Sequence, residues 1–113
     1  MKRGEIWWAS LEEPRGSEPG YKRPVVVVSS DAFNQSKIQT VIVAIVTSNL
    51  RLATAPGNIS IAKRDSGLSK ESVINVSQIL TIDKSFLVEK IGRLPDKKIS
   101  ALDEGLKLSL SIF

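Results

Sequence analysis

The chain has 113 residues, of which 42% are hydrophobic and 25% charged. This composition is typical of one small globular domain, and we expect a single domain over residues 1–113. The absence of Cys and His excludes disulfides, thiolate nucleophiles and zinc–thiolate sites and removes the commonest general base, so we expect no metal and no cofactor, while the net charge of +4 favours a polyanionic partner.

The first half of the chain predicts three β-strands. Residues 5–9 form the first, in which the adjacent Trp7 and Trp8 face opposite sides. A long polar loop leads to the second strand at 23–29, whose uninterrupted apolar run indicates burial on both faces. Residues 31–37 predict a turn or a single helical turn. Residues 40–47 repeat the β-branched pattern, so the second and third strands are expected to be antiparallel neighbours.

The second half begins with short elements separated by turns. Residues 55–58 and 65–67 predict turns on either side of a short strand at 59–61. Residues 73–82 predict a longer strand, and a slip in its alternation around Ser77 and Gln78 predicts a β-bulge.

The last part of the chain predicts helices. Asp83 is expected to cap a short helix through about Lys90 that ends at Gly92. The segment after Pro95 predicts an amphipathic closing helix, with apolar residues three and four apart at Ile99, Leu102, Leu106, Leu110 and Phe113. Together these elements predict a mainly β fold with helices (α+β), a small and partly closed antiparallel barrel with helices packed on it.

The loop of residues 16–24 predicts an anion site. Two glycines and two prolines force an irregular backbone around Arg23. A guanidinium held in this way, with the Ser17 hydroxyl nearby, is well matched to a phosphate, which it can grip with two parallel hydrogen bonds. The other interpretation of the same residues is a solvated surface arginine beside a turn.

Five segments in order resemble the MazF/PemK family of toxins, which are sequence-selective endoribonucleases of type II toxin–antitoxin systems. They are residues 2–8 (KRGEIWW), the loop 16–24, and residues 41–48, 72–75 and 78–84. The resemblance implies a small SH3-like or CcdB-like antiparallel barrel with a C-terminal helix. It also implies cleavage of single-stranded RNA without metal, by attack of the 2′-hydroxyl, to give 2′,3′-cyclic phosphate and 5′-hydroxyl ends.

The resemblance assigns catalysis to Arg23 and Thr47. Arg23 would neutralise the phosphorane, and Thr47 or Ser48 would hydrogen-bond a non-bridging oxygen. The family's arginine is also proposed as a proton donor or acceptor, although a guanidinium with a pKa above ~12 gives up its proton reluctantly.

Further residues are implied to bind the substrate. Ser17, Glu18, Gly20 and Lys22 lie in the loop that flanks the RNA by resemblance, and each is equally explained by loop solvation. Gln78, next to the expected bulge, is a candidate for reading a base edge or a purely structural residue. The loop differs from the commoner family form at Pro19 and Tyr21, which bears on the RNA sequence preference.

The resemblance implies a homodimer with a shared positive channel and inhibition by a cognate acidic, partly disordered antitoxin. We expect a cytoplasmic location and no membrane association, because the sequence has neither a signal peptide nor an apolar run near the roughly 20 residues that cross a bilayer. The competing function is a non-catalytic CcdB-like gyrase inhibitor or a DNA- or RNA-binding module. The C-terminal residues 111–113 (SIF) differ from the tryptophan-containing C-terminal end that such gyrase inhibitors use.

Overall fold

The structure is a computed structural model that describes residues 1–12 and 21–113. Within these residues one antiparallel sheet has the strand order β4-β5-β3-β2-β1-β6. The strands are β1 Glu5–Glu12, β2 Tyr21–Val27, β3 Thr40–Thr47, β4 Ile59–Ile61, β5 Ser72–Asp83 and β6 Leu87–Arg93. The helices are α1 Asp31–Asn34, α2 Lys63–Ser66 and α3 Asp96–Leu110, with 3₁₀ turns at Leu50–Thr54 and Lys84–Phe86. No helix of the described residues is long and apolar enough to cross a membrane.

The sheet curls so that its two edges approach each other. Helix α2, which follows edge strand β4, packs against the other edge strand, β6. The contact is so close that a Cβ atom on Gly92 would lie 2.7 Å from the carbonyl oxygen of Ser66, so a glycine is required there. The sheet is therefore a half-barrel with helices on it, which confirms the predicted architecture.

Apolar side chains pack on both faces of the sheet. One cluster includes Ile6, Val26, Val46 and Ile74 and is covered by α3 through Leu102. The second lies on the opposite face and is formed by Ala9, Val25, Val27, Val41, Val43, Ile45, Ile82 and Leu87. Trp8 packs against the first cluster and Trp7 against the second. The prediction that the two tryptophans face opposite sides is confirmed.

The predicted bulge is present in β5 and is larger than a single extra residue. Ala44 of β3 pairs with Ile79, but its neighbour Ile45 pairs with Asn75, so residues 76–78 are inserted between two consecutive pairs. The Asn75 Oδ1 atom accepts hydrogen bonds from the Ser77 backbone N at 3.2 Å and the Ser77 hydroxyl at 2.6 Å. Because these bonds join residues only two positions apart, they fix the shape of the bulge locally.

The predicted helix from Asp83 to Lys90 is wrong. Asp83 does act as a cap, accepting a hydrogen bond from Ser85 N at 2.8 Å, but the helical segment is only the 3₁₀ turn Lys84–Phe86. The chain then continues as β6, which pairs with β1 from Leu87↔Ala9 to Arg93↔Glu5. Pairing with a distant strand thus overrides the local cap signal.

Other bounds differ at the strand and helix ends. Strand β1 runs to Glu12, beyond the predicted residue 9, because it pairs with β2 along that length. Strand β2 begins at Tyr21 and ends at Val27 rather than spanning 23–29. The closing helix is confirmed, but Leu110 and Phe113 are exposed and do not belong to its buried face.

Candidate active site

Arg23 lies on β2 just before the ladder to β3 begins. In the ladder that joins β2 to β1, Arg23 pairs with Ala9. The β2–β3 pairs are Val25↔Ile45, Val26↔Ala44 and Val27↔Val43. The next residue outward is Pro24, which has no N–H to extend the ladder. Continued by two residues, the same register sets Arg23 opposite Thr47, the last residue of β3.

A cavity of about 340 Å³ lies at these strand ends. Its polar lining includes Arg23, Thr47 and Ser48, so three residues predicted for the site are brought together. The other lining residues are Trp8, Pro24, Val46, Leu68, Ser69, Lys70 and Ser72. The lining described here contains two cations and no carboxylate. Such a cavity fits an anionic group beside a flat apolar one, as in a nucleotide.

The Thr47 hydroxyl is held in place by the chain that follows it. The backbone N of Asn49 donates a hydrogen bond to Thr47 Oγ1 at 3.1 Å, and Asn49 Oδ1 accepts in turn from the backbone N of Arg51 at 3.2 Å. The Thr47 oxygen acts as an acceptor in this hydrogen bond. Its O–H group is not used by that bond and can donate to a ligand. Thr47 is half-buried, whereas Ser48 is exposed.

Arg23 also borders a second cleft, of about 510 Å³, on the side of the bulge. Gln78 also lines this cleft, so it shares the cleft with Arg23 but does not line the cavity with Thr47. Asn75 Nδ2 donates to Gln78 Oε1 at 3.0 Å. This bond orients the Gln78 amide with its NH₂ group as the donor that a base edge could use.

Of the remaining predicted residues, the structure describes only Lys22. Lys22 is exposed and lines neither cleft. Ser17, Glu18 and Gly20 lie outside the described residues.

Sequence reasoning missed residues that support or line the site. The short spacings Thr47–Asn49 and Asn75–Ser77 are local signals for side-chain-to-backbone turns and were readable in principle. Lys70 carried no such signal, because it reaches the cavity from the segment between α2 and β5. Trp8, which the sequence places on one face of its strand, forms part of the cavity wall.

Comparison with known proteins identifies the family. The sequence model described as "PemK-like, MazF-like toxin of type II toxin-antitoxin system" matches residues 2–110, and the chain belongs to this family. It is 40% identical over 112 residues to endoribonuclease MazF6 of Mycobacterium tuberculosis, covering 99% of this chain and 98% of that protein. It is 39% identical over 112 residues to endoribonuclease MazF of Staphylococcus saprophyticus, covering 99% and 92%.

The fold is also found in solved structures. An endoribonuclease in complex with its cognate antitoxin from a mycobacterial species superposes with a TM-score of 0.83 at 20% identity, covering 100% of this chain and 97% of that one. The resemblance noted in the sequence is thereby confirmed at the level of family and fold.

Proposed function

We propose that this protein is the toxin of a type II toxin–antitoxin system and acts as a sequence-selective, metal-independent endoribonuclease on single-stranded RNA in the cytoplasm. The observation that carries the proposal is the placement of Arg23 and Thr47 in one cavity at the open end of the β2–β3 ladder. Family membership and the relatives named endoribonuclease MazF support the same activity.

The substrate supplies its own nucleophile in this reaction. The 2′-hydroxyl of RNA attacks the adjacent phosphorus, the 5′-oxygen leaves, and the products carry a 2′,3′-cyclic phosphate and a 5′-hydroxyl. The protein has to align these atoms and stabilise the charge that grows on the phosphorane. A half-buried guanidinium such as that of Arg23 suits this role, because it presents two parallel donors to phosphate oxygens.

Thr47 would act as a second donor to the phosphorane. Its oxygen is already fixed by the hydrogen bond from Asn49 N, so little reorganisation is needed when charge develops. Ser48 lines the same cavity and could bind another phosphate oxygen. The apolar wall formed by Trp8, Val46 and Leu68 would receive a neighbouring base.

Sequence selectivity would arise in the second cleft and in the loop before β2. Gln78 presents an oriented amide in the cleft that Arg23 also lines, which suits a base edge next to the scissile phosphate. Ser17, Glu18, Gly20 and Lys22 remain proposed substrate-binding residues on the ground of the family resemblance.

The proposed partners are a second copy of the chain and an acidic antitoxin. A homodimer would let the loops before β2 wall one shared channel around two Arg23 sites. The net charge of +4 would attract an extended acidic peptide that competes with RNA for Arg23. The solved mycobacterial structure is of an endoribonuclease in complex with its cognate antitoxin, which supports a partner of this kind.

Incubation of the purified protein with a long unstructured RNA in EDTA tests the activity. Cleavage is expected at an undiminished rate, with ends that label as 2′,3′-cyclic phosphate and 5′-hydroxyl. The chain has neither His nor Cys, and its described carboxylates form no cluster of the kind that a two-metal nuclease requires. Loss of cleavage in EDTA that magnesium restores would refute the metal-independent mechanism. Binding without scission, together with inhibition of gyrase supercoiling, would favour the competing function instead.

Light scattering and expression tests address the partners. A dimer is expected at micromolar concentration, and expression without an antitoxin is expected to arrest growth. An active monomer would refute the dimer, and unrestricted growth of cells that contain the soluble protein would refute the toxin assignment.

A further inference from the structure

A groove next to the Arg23–Thr47 cavity contains two lysines, Lys63 and Lys70, to which the proposed reaction assigns no role. This groove, of about 460 Å³, is lined by Ser48, Leu50, Lys63, Ser69, Lys70 and Glu71. Three of these residues, Ser48, Ser69 and Lys70, also line the cavity. The groove therefore shares a wall with the cavity and offers a route by which a bound strand can leave it.

Lys63 and Lys70 do not hold the described part of the fold through their ammonium groups. Both are exposed, and within the described residues neither forms an ion pair or donates a side-chain hydrogen bond. By contrast, Lys84 Nζ donates to the carbonyl of Asn34 and Lys98 Nζ to that of Ser60, each at 2.8 Å. The groove contains one carboxylate, Glu71, against these two ammonium groups.

The segment that carries Lys70 is held by its own hydrogen bonds. Gly67 ends α2 in the left-handed region at φ 81°, and Leu68 N donates to Ser66 Oγ at 3.0 Å. The hydroxyl of Ser72 donates to the carbonyl of Lys70 at 3.1 Å. Lys70 therefore projects from a fixed backbone position.

We propose that Lys70 and then Lys63 bind the two successive phosphates next to the scissile one, as the RNA strand runs from the cavity over Ser48 and Ser69 into this groove. The order follows from the lining residues, because Lys70 lines both the cavity and the groove, whereas Lys63 lines only the groove. Lysine binds phosphate as a compact point charge without reading sequence, so these contacts position the strand. The inference rests on the proposed function, since it takes RNA as the ligand of the cavity.

The test measures binding of an RNA that carries the mapped cleavage motif and a 2′-deoxynucleotide at the cut site. Lys63→Gln and Lys70→Gln are each expected to weaken binding and to lower the slope of log Kd against log salt by about 0.7, the value for one phosphate contact on a single strand. Lys37→Gln is the matched control. Lys37 is exposed, lines neither the cavity nor the groove, and lies before Thr40, whereas Thr47 is at the other end of β3.

Neutral methylphosphonate linkages then locate each contact. A methylphosphonate at the phosphate next to the scissile one should weaken binding by the wild type but not by Lys70→Gln, and the next position should behave in this way with Lys63→Gln. Binding by both variants that matches Lys37→Gln, with a wild type that cleaves RNA, would overturn this inference and leave the proposed function intact. A wild type that does not cleave RNA would instead refute the proposed function.

Discussion

Arg23 and Thr47 lie opposite each other in the register of the β2–β3 ladder, two residues beyond its last pair, Val25↔Ile45. The ladder stops at Pro24, so the strand ends frame a cavity while the sheet behind them stays paired and buried. Functional groups on such strand ends are positioned more accurately than groups on loops. We expect substitutions here to affect chemistry far more than folding.

Thr47 offers a test that separates its hydroxyl from its shape. Thr47→Val removes the donor and keeps the volume, and should slow single-turnover cleavage by about a hundred- to a thousand-fold, the effect of losing one preorganised donor. Thr47→Ser keeps the hydroxyl and should retain most of the rate. Equal rates for the two variants would show that the hydroxyl takes no part.

Gln78→Ala should change which sites are cut more than how fast the best site is cut. The reason is that Gln78 lies in the second cleft with an oriented amide, away from the Thr47 hydroxyl. Mapping cut sites on a long RNA measures this, with Gln39→Ala as control, since Gln39 is an exposed glutamine just before β3. An unchanged cut-site pattern in Gln78→Ala would assign Gln78 to structure alone.

Glu5 predicts a stability change in acid. Glu5 is 6% exposed. Its carboxylate accepts hydrogen bonds from Lys2 N at 2.9 Å and Trp7 Nε1 at 3.1 Å and forms an ion pair with Lys90 Nζ at 3.0 Å. Burial acts to raise its pKa, but these donors outweigh burial, and the pKa lies below the ordinary value of 4.5. The unfolded chain therefore takes up this proton first as pH falls.

The stabilisation by Glu5 should be complete above pH 4.5 and lost as pH falls through the lowered pKa. Glu5→Gln should lower the free energy of unfolding at pH 7 by about 1–3 kcal/mol, and the gap from wild type should close in acid. Urea unfolding at several pH values measures it, with the exposed Glu89→Gln as control. A gap that is independent of pH would contradict this account.

Gly105→Ala should destabilise the protein by about 1–3 kcal/mol through overpacking. Helix α3 approaches the turn at Gly57 so closely that a Cβ atom on residue 105 would lie 2.2 Å from the Gly57 carbonyl oxygen. Thermal unfolding measures the loss, and Ser100→Ala, at an exposed position of the same helix, is expected to be harmless. Equal stability of the two variants would show that the helix shifts without cost.

The parts of the fold that follow local pattern could be predicted from sequence. The β-branched run at 40–47 and the spacing after Pro95 set β3 and α3, and the slip at Ser77 marked the bulge. Strand β6 could not be predicted, because its local sequence offers a cap at Asp83 and its strand state comes from pairing with β1 at the other end of the chain.

The sequence pattern explains why three of the predicted site residues lie together, while their roles remain predictions. The predicted residues Arg23, Thr47 and Ser48 share a cavity because they lie at the ends of neighbouring strands. Lys70 was not predicted, since only the folded path of the segment between α2 and β5 brings it there.

Arg23→Ala tests the central claim most directly. Single-turnover cleavage of an RNA with a mapped site should be slower than wild type by about a hundred- to a thousand-fold, equivalent to about 2.7–4 kcal/mol of barrier. Arg93→Ala is the matched control, because Arg93 is exposed on β6 and pairs with Glu5, the first residue of β1, whereas Arg23 pairs with Ala9 in the middle of that strand. If Arg23→Ala, folded by circular dichroism, cleaves at a rate near that of wild type and Arg93→Ala, the Arg23–Thr47 cavity is not the active site.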